Sequence, residues 1–152
     1  MLRQTLAAGG LIATEALIQG PPDGYKLMAT GPSVLTTLPI LKQDLRYNAA
    51  TDFEPLAMLG GGGFVMVANS KLGVSTVAEF LALARSRKEP LFMASGGNAG
   101  SGHLCGGAFC DATGIAFSHI PYSGEAPGFT DVLGGQVDFM LTAPNVVAPH
   151  LK

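Results

Sequence analysis

The feature that most constrains the fold is a repeated order of short apolar run, turn-rich stretch and helical segment after residue 75. Strands are predicted at residues 91–95, 115–120 and 137–141, and helices between them at 103–112 and 126–133. The first helix is followed by Gly114 and the second by Gly134 and Gly135, as helix C-termini commonly are. Strands that alternate with helices return to the same sheet edge and pair in parallel through right-handed crossovers. The predicted fold class is therefore α/β with a doubly wound parallel sheet.

A further helix is predicted immediately after Thr76. Thr76 and Glu79 have the spacing of a capping box. An apolar face with helical period begins at Val77 and continues through Phe80, Leu81 and Ala84. Pro90 ends this segment. The strand–helix order therefore extends back to about residue 75.

The first half of the chain is less regular. A helix is predicted to end at Gly20, a buried strand at 25–30 and a loop at 31–33, while 34–55 has no clear pattern. Another apolar run, 64–68, follows the four glycines at 60–63, which predict a bend or hinge. Glu15 interrupts the early apolar stretch, so neither a membrane span nor a secretory signal is predicted there.

Composition excludes several classes of function. Nine Lys and Arg face eleven Asp and Glu, the net charge is −2 and Trp is absent, so the electrostatic pattern of a nucleic-acid-binding protein is missing. The two cysteines, Cys105 and Cys110, are too few for a disulfide framework and lack zinc-site spacing. We expect neither a metal nor a cofactor, and the sequence assigns no role to the two thiols.

Three loops are predicted to meet at the carboxyl ends of the parallel strands, where α/β sheets bind their ligands. They cover residues 95–102, 121–124 and 142–145. The first reads SGGNAGSG and runs into a helix, so small residues and free amides can approach an anion. None of the three contains Lys or Arg, which favours reversible capture of a carboxylate over tight polyphosphate binding. The alternative is a tight turn in which glycine serves backbone shape alone.

Nucleotide binding and hydrolysis are weaker alternatives. Cys105 replaces the last glycine of a dinucleotide fingerprint, and no Walker loop is present. A hydrolase could use Ser95 or Cys105 with His103, but the glycines of a nucleophile elbow are missing around Ser101. The simpler expectation is that His103 caps or supports the loop and that His119 and His150 are structural.

Two further side chains are predicted near this crevice. Tyr122 follows a strand end, where its phenol could donate a hydrogen bond to a ligand or simply pack. Thr142 has the matching position on the next strand, and its hydroxyl could reach the same crevice.

Five motifs in one order carry a family resemblance. They are PDGY at 22–25, DFEP at 52–55, ASGGNAGSGHL at 94–104, PYSGEAP at 121–127 and DVLGGQVD at 131–138. Together they resemble the Bug receptors of tripartite tricarboxylate transporters, over about residues 9–152. Each motif is weak alone, but their order is specific.

The resemblance implies a type II periplasmic-binding-protein-like architecture of two α/β lobes that close on a small carboxylate. It implies a periplasmic location, delivery to a membrane permease and no catalysis. Residues 1–60 are expected to form part of the first lobe and residues 61–152 most of the second. The ligand-binding residues carried over from the family, together with the loop residues above, are Thr30, Gly31, Ser33, Ser95, Gly97, Asn98, Ala99, Gly100, Ser101, His103, Tyr122 and Thr142.

The sequence also departs from the family. Ala99 stands where glycine is usual, Gly100 where a hydroxyl residue is usual, Ser101 where proline is common and Glu125 where glycine is usual. Glu125 would repel a second carboxylate if it pointed inward. The family's first ligand loop, its signal peptide and its return segment to lobe one have no match, so we expect a fragment with an incomplete first lobe. A remnant without ligand function is the main alternative.

Overall fold

A computed structural model describes residues 10–151 and shows an α/β fold around one four-stranded sheet. The strands are β1 (Val65–Ala68), β2 (Leu91–Ser95), β3 (Phe117–Pro121) and β4 (Phe139–Thr142). They lie in the order β1-β4-β2-β3. The three strands of the second half pair in parallel, as predicted.

The sheet is mixed, because β1 pairs antiparallel with β4. The backbone N–H of Asn69, directly after β1, donates to the carbonyl oxygen of Asp138, directly before β4, over 2.7 Å. The end of β1 therefore lies beside the start of β4, which sets the opposite direction. The prediction of a wholly parallel sheet was wrong at this edge strand, whose direction no adjacent crossover fixes.

Six α-helices accompany the sheet in the described range: α1 (Leu11–Ile18), α2 (Leu38–Leu41), α3 (Val77–Ser86), α4 (Ser101–Thr113), α5 (Glu125–Gly134) and α6 (Pro144–Val147). The predicted capping box of α3 is present, with Glu79 N–H donating to Thr76 Oγ1 over 3.2 Å. Gly114 and Gly135 end α4 and α5 with φ of 69° and 83°, in the left-handed region that favours glycine.

The strand predicted at 25–30 is not formed, and between residues 10 and 64 the structure contains no strand. Tyr25 is 92% exposed and Leu27 is 72% exposed, so this segment is not buried either. A strand requires a neighbouring extended backbone to pair its N–H and C=O groups, and residues 10–64 supply none. Apolar composition alone therefore predicted the wrong conformation here.

Two apolar clusters cover the two faces of the sheet. One contains Phe80, Leu91, Met93, Cys110, Ile115, Phe139 and Leu141, and the other Ala94, Phe129, Val132, Val137 and Met140. Successive buried residues of β2 and β4 belong to different clusters, because side chains along a strand point alternately to its two faces. Helices α3 and α4 thus pack on one face of the sheet and α5 packs on the other. This packing holds the N-termini of α4 and α5 at the ends of the strands that precede them.

A third cluster lies in the first half, around Val34, Leu38 and Tyr47. Tyr47 donates its hydroxyl hydrogen to the Val34 carbonyl over 2.6 Å. Among its half-buried neighbours only Ala99 comes from the second half, and that residue belongs to the predicted ligand loop. The predicted division into lobes at 1–60 and 61–152 stays a prediction. Within residues 10–151, no helix has the length and apolar character needed to cross a bilayer.

Candidate functional site

A cleft of about 350 Å³ separates the first half of the chain from the loops at the ends of β2 and β3. Seven residues of the first half form one wall: Gly10, Ala13, Met28, Ala29, Thr30, Gly31 and Ser33. Seven from the loops form the other: Gly96, Gly100, Ser101, Gly102, Ser123, Gly124 and Glu125. Five of the residues predicted to bind ligand, namely Thr30, Gly31, Ser33, Gly100 and Ser101, therefore line one cavity.

The N-terminus of α4 opens onto this cleft. Gly100 precedes the helix in an extended conformation, and no side chain caps it. The amides of Ser101, Gly102 and His103 have no partner within the helix, and the helix dipole adds partial positive charge. None of the cleft-lining residues in the described part of the chain is Lys or Arg. An anion here would be held by amides and hydroxyl groups.

The loop before α4 needs unusual backbone angles. Gly97 has φ of 135°, and Ala99 has φ of 60°, so the alanine adopts a conformation for which glycine is better suited. The N–H of Gly100 donates to the Gly97 carbonyl over 3.3 Å and tightens the turn. The Ala99 N–H donates to Nδ1 of His103 over 3.2 Å, so His103 supports the loop from beneath, and its predicted contact with the ligand stays a prediction.

Ser95 lies fully buried beneath the same loop. Its Oγ is 2.7 Å from His119 Nε2, 3.0 Å from the Gly97 carbonyl oxygen and 3.2 Å from the Gly97 nitrogen. All three bonds form together only if the serine donates to the carbonyl and accepts from Gly97 N–H and from a protonated Nε2 of His119. The structure thus places the Ser95 hydroxyl as a support of the loop, not on the cleft wall.

Sequence reasoning gave His119 no connection with the loop. In the parallel register Met93 lies opposite His119, so Ser95 and His119 lie two residues apart on neighbouring strands, on one face of the sheet. The available signal was a histidine on the neighbouring strand, placed two residues before the position opposite the strand-end serine. That spacing puts both side chains on the same face of the sheet. The ring of His119 also stacks on that of His103, with centroids 3.7 Å apart and planes within 4° of each other.

Burial lowers the pKa of both histidines, and for His119 the nearby charge of His103 lowers it further. Both rings are therefore favoured in the neutral form. Protonation of His103 would replace the acceptor at Nδ1 with a donor, and the Ala99 bond would be lost. Protonation of both would place two cations face to face.

Acidification is expected to destabilise the fold through this pair. Because the folded pKa values lie below the ordinary 6.5, the unfolded chain takes up protons first as the pH falls through that value. Stability is thus complete above about pH 6.5 and falls towards the lower folded pKa values. Urea unfolding from pH 8 to 5.5 measures this dependence, which His103→Asn should flatten. Equal slopes for His103→Asn and wild type would contradict the assignment.

Tyr122 does not line the cleft. Its hydroxyl donates to Asp131 Oδ2 over 2.6 Å, and this bond, followed by burial and the charge of Asp131, raises the pKa of Tyr122 to about 12. The ring lines a second cavity of about 340 Å³, with Leu38, Leu41, Lys42, Gly97, Asn98, Ala99 and Pro121. With its hydrogen committed to Asp131, the phenol is placed as an aromatic wall rather than a donor to ligand.

Thr142 is fully buried, and its Oγ1 donates to Glu125 Oε2 over 2.6 Å. Glu125 is the first residue of α5, and it is one of the residues that line the cleft. The structure therefore brings Thr142 to the crevice through Glu125. The family resemblance had singled out Glu125 as a departure, and the structure places it at the site.

The hydrolase alternative receives no support from this arrangement. Ser95 is inaccessible, and in the described residues neither His103 nor His119 has a hydrogen-bonded carboxylate to orient it. The other cysteine, Cys110, offers no nucleophile in their place, because burial and, secondarily, the charge of Asp111 raise the pKa of its thiol to about 11 and keep it protonated. Residues 10–151 contain no cluster of three or more His, Cys, Asp or Glu suited to a metal ion.

Comparison with curated proteins finds relatives across nearly the whole chain. A UPF0065 protein of Bordetella bronchiseptica is 32% identical, over 95% of this chain and 43% of its own length. "Protein BugT" of Bordetella pertussis is 28% identical, over 100% of this chain and 47% of its own. The chain spans about half the length of the curated relatives it matches.

Solved structures agree with this fold. "Structure of a periplasmic transporter" superimposes with a TM-score of 0.92 at 28% identity, covering 97% of this chain and 50% of that one. A Rhodopseudomonas structure described as "R. palustris Rpa4515 with adipate" has a TM-score of 0.87 at 28% identity, covering 92% and 47%. The periplasmic-binding-protein-like α/β fold expected from the resemblance is thereby confirmed over about half of each matched chain.

The protein-family model described as "Tripartite tricarboxylate transporter family receptor" matches residues 2–152 of this chain. The match includes the cleft-lining loops after β2 and β3 and the first-half wall. The chain belongs to the tripartite tricarboxylate transporter receptor (TctC) family.

Proposed function

We propose that this chain forms the ligand-holding part of a periplasmic solute receptor that captures a small carboxylate and delivers it to a tripartite tricarboxylate-type membrane permease. The observation that carries the proposal is the uncapped N-terminus of α4, open to a cleft that no Lys or Arg lines in the described chain. Such a site attracts a carboxylate through backbone amides and the helix dipole. A structural relative at 28% identity is described with adipate, a dicarboxylate.

The position of the cleft supports capture by closure. Its walls come from the two halves of the chain, whose apolar cores are largely separate. A ligand that touches both walls binds the closed arrangement better than the open one, and its differential affinity shifts the population towards closure. The permease would then recognise and bind the closed form of the receptor. No catalytic step is part of this proposal.

The proposal predicts selective stabilisation by carboxylates. In a thermal-shift screen at pH 7.5, mono-, di- and tricarboxylates and amino acids are compared with phosphate and nucleotides. Free ligand at a hundred times Kd adds about 2.7 kcal/mol of stability, which raises the midpoint of a domain this size by several degrees. A shift from one carboxylate class, with none from nucleotides, is expected.

Two results would contradict the proposal. One is a cooperative melt that no carboxylate shifts, which would favour a remnant without ligand function. The other is stabilisation by nucleotides alone. Phosphate serves as the control for general anion binding at a helix N-terminus.

A further inference from the structure

We infer that Glu125 selects the ligand: the cleft takes a small molecule with one carboxylate and one ammonium group, and discriminates against dicarboxylates. This inference rests on the proposed function, because it concerns the same cleft. Among the cleft-lining residues in the described range, Glu125 alone carries a charge. A second negative group in this cavity would therefore meet a carboxylate with no cation to offset it.

The position of the Glu125 carboxylate is held by its neighbours. Thr142 Oγ1 donates to Oε2 over 2.6 Å, and Thr142 is itself fully buried. Gly96 packs so closely that a Cβ built on it would lie 3.0 Å from Glu125 Cγ and 3.2 Å from Glu125 N. The side chain is thus fixed between the end of β4 and the ligand loop, and it retains partial exposure to the cleft.

The two helices that begin at the cleft, α4 and α5, differ in the charge of their first turns. The N-terminus of α4 has no acidic residue in its first turn, whereas α5 begins with Glu125. The partial positive charge at the start of α5 is therefore offset by the protein's own carboxylate, and that of α4 is left for a ligand anion. One anionic group and one cationic group on the ligand complement this pair of helix starts.

The size of the discrimination follows from Coulomb's law. Two like charges about 4 Å apart near a protein surface repel strongly enough to change affinity by well over tenfold, and partial solvent exposure reduces the effect. We therefore expect a preference of at least about tenfold for an aminocarboxylate over a dicarboxylate of equal length.

Isothermal titration of the full chain at pH 7.5 with 4-aminobutyrate, glutarate and butyrate tests this inference. The three probes share one carboxylate and a similar carbon chain, and differ in carrying an ammonium, a second carboxylate or neither. Wild type should prefer 4-aminobutyrate to glutarate at least about tenfold, and Glu125→Gln should reduce that ratio to within about threefold. Glu125→Asp should keep the preference. Asp111→Asn removes an equal charge from the exposed surface of α4 and should also keep it.

The outcomes separate the two proposals. Glutarate binding to wild type as tightly as 4-aminobutyrate, or an unchanged ratio in a cooperatively folded Glu125→Gln, would overturn the role of Glu125 while carboxylate capture stands. If Glu125→Gln does not fold, wild type and Glu125→Asp decide the question. A lack of preference for 4-aminobutyrate over glutarate in both of them also overturns the role of Glu125. If none of the probes, nor any carboxylate of the thermal-shift screen, binds either wild type or variants, the proposed function itself fails.

Discussion

Gly102→Ala is expected to lower the free energy of unfolding by about 1–3 kcal/mol and to weaken carboxylate binding by more than about tenfold. Gly102 is buried in the first turn of α4, where a Cβ would lie 2.8 Å from the Leu141 carbonyl oxygen. That oxygen belongs to the backbone of β4, so the side-chain rotations that relieve many close contacts are not available. The start of α4 must move away from the sheet, and the amides that face the cleft move with it.

Gly107→Ala is the matched control on the same helix. A Cβ at Gly107 meets no atom within 4 Å, so the substitution adds no clash. Replacing glycine by alanine in a helix interior stabilises by about 0.5–1 kcal/mol. Urea unfolding measures both variants, and titration with the best-binding carboxylate measures affinity. Equal effects of the two substitutions would contradict the close packing of α4 on β4.

Ser95→Ala is expected to cost about 2–4 kcal/mol of stability, because the buried Gly97 N–H and the half-buried Nε2–H of His119 lose their acceptor. The Gly97 N–H and the Nε2–H of His119 both point at the serine oxygen, and Ser95 is fully buried. Each unsatisfied buried donor costs about 1–3 kcal/mol. The loop that Ser95 holds would lose its shape, so affinity should fall together with stability.

Ser118→Ala is the control for Ser95→Ala. Ser118 lies half-buried on the neighbouring strand β3, opposite Phe92, and its side chain makes no hydrogen bond to residues 10–151. Its replacement should change stability by no more than about 0.5 kcal/mol. Unfolding by urea compares the two variants under one condition. A loss below about 0.5 kcal/mol for Ser95→Ala would show that the serine does not hold the loop.

Local chemistry was sufficient to predict the second half of the fold. Thr76, Gly114 and Gly135 mark helix ends through capping and backbone geometry, which depend on a few adjacent residues. The parallel strands followed from their alternation with helices. The antiparallel β1 could not be predicted in this way, because its direction is set by contacts with β4 far along the chain.

The first half shows the opposite limit. Residues 25–30 have the composition of a buried strand, but the described part of the first half gives them no partner. Strand formation depends on a second segment, and composition of the first cannot supply it. Helix α1, whose hydrogen bonds are local, was predicted correctly up to its end before Gly20.

The sequence predicted the location of the candidate site better than the contacts of the side chains in it. Topology brought the loops after β2 and β3 to one cleft, and Thr30, Gly31 and Ser33 were predicted as its other wall. The roles of Ser95, His119 and Thr142 depend on side-chain neighbours across strands and loops, which only the folded register defines. The Ser95 hydroxyl hydrogen-bonds to His119 and to the Gly97 backbone of the loop, and the Thr142 hydroxyl hydrogen-bonds to Glu125.

The central claim is that a carboxylate binds at the start of α4. It is tested most directly by an amide chemical-shift titration of the ¹⁵N-labelled chain, with the carboxylate that stabilises it best. Saturable shifts should be largest at Ser101 and Gly102, which line the cleft, and at His103 in the same first turn of α4. Smaller shifts are expected at Thr30, Gly31 and Ser33 on the opposite wall. Saturable shifts confined to residues outside the cleft would contradict the claim, as would binding that leaves the three α4 amides unchanged.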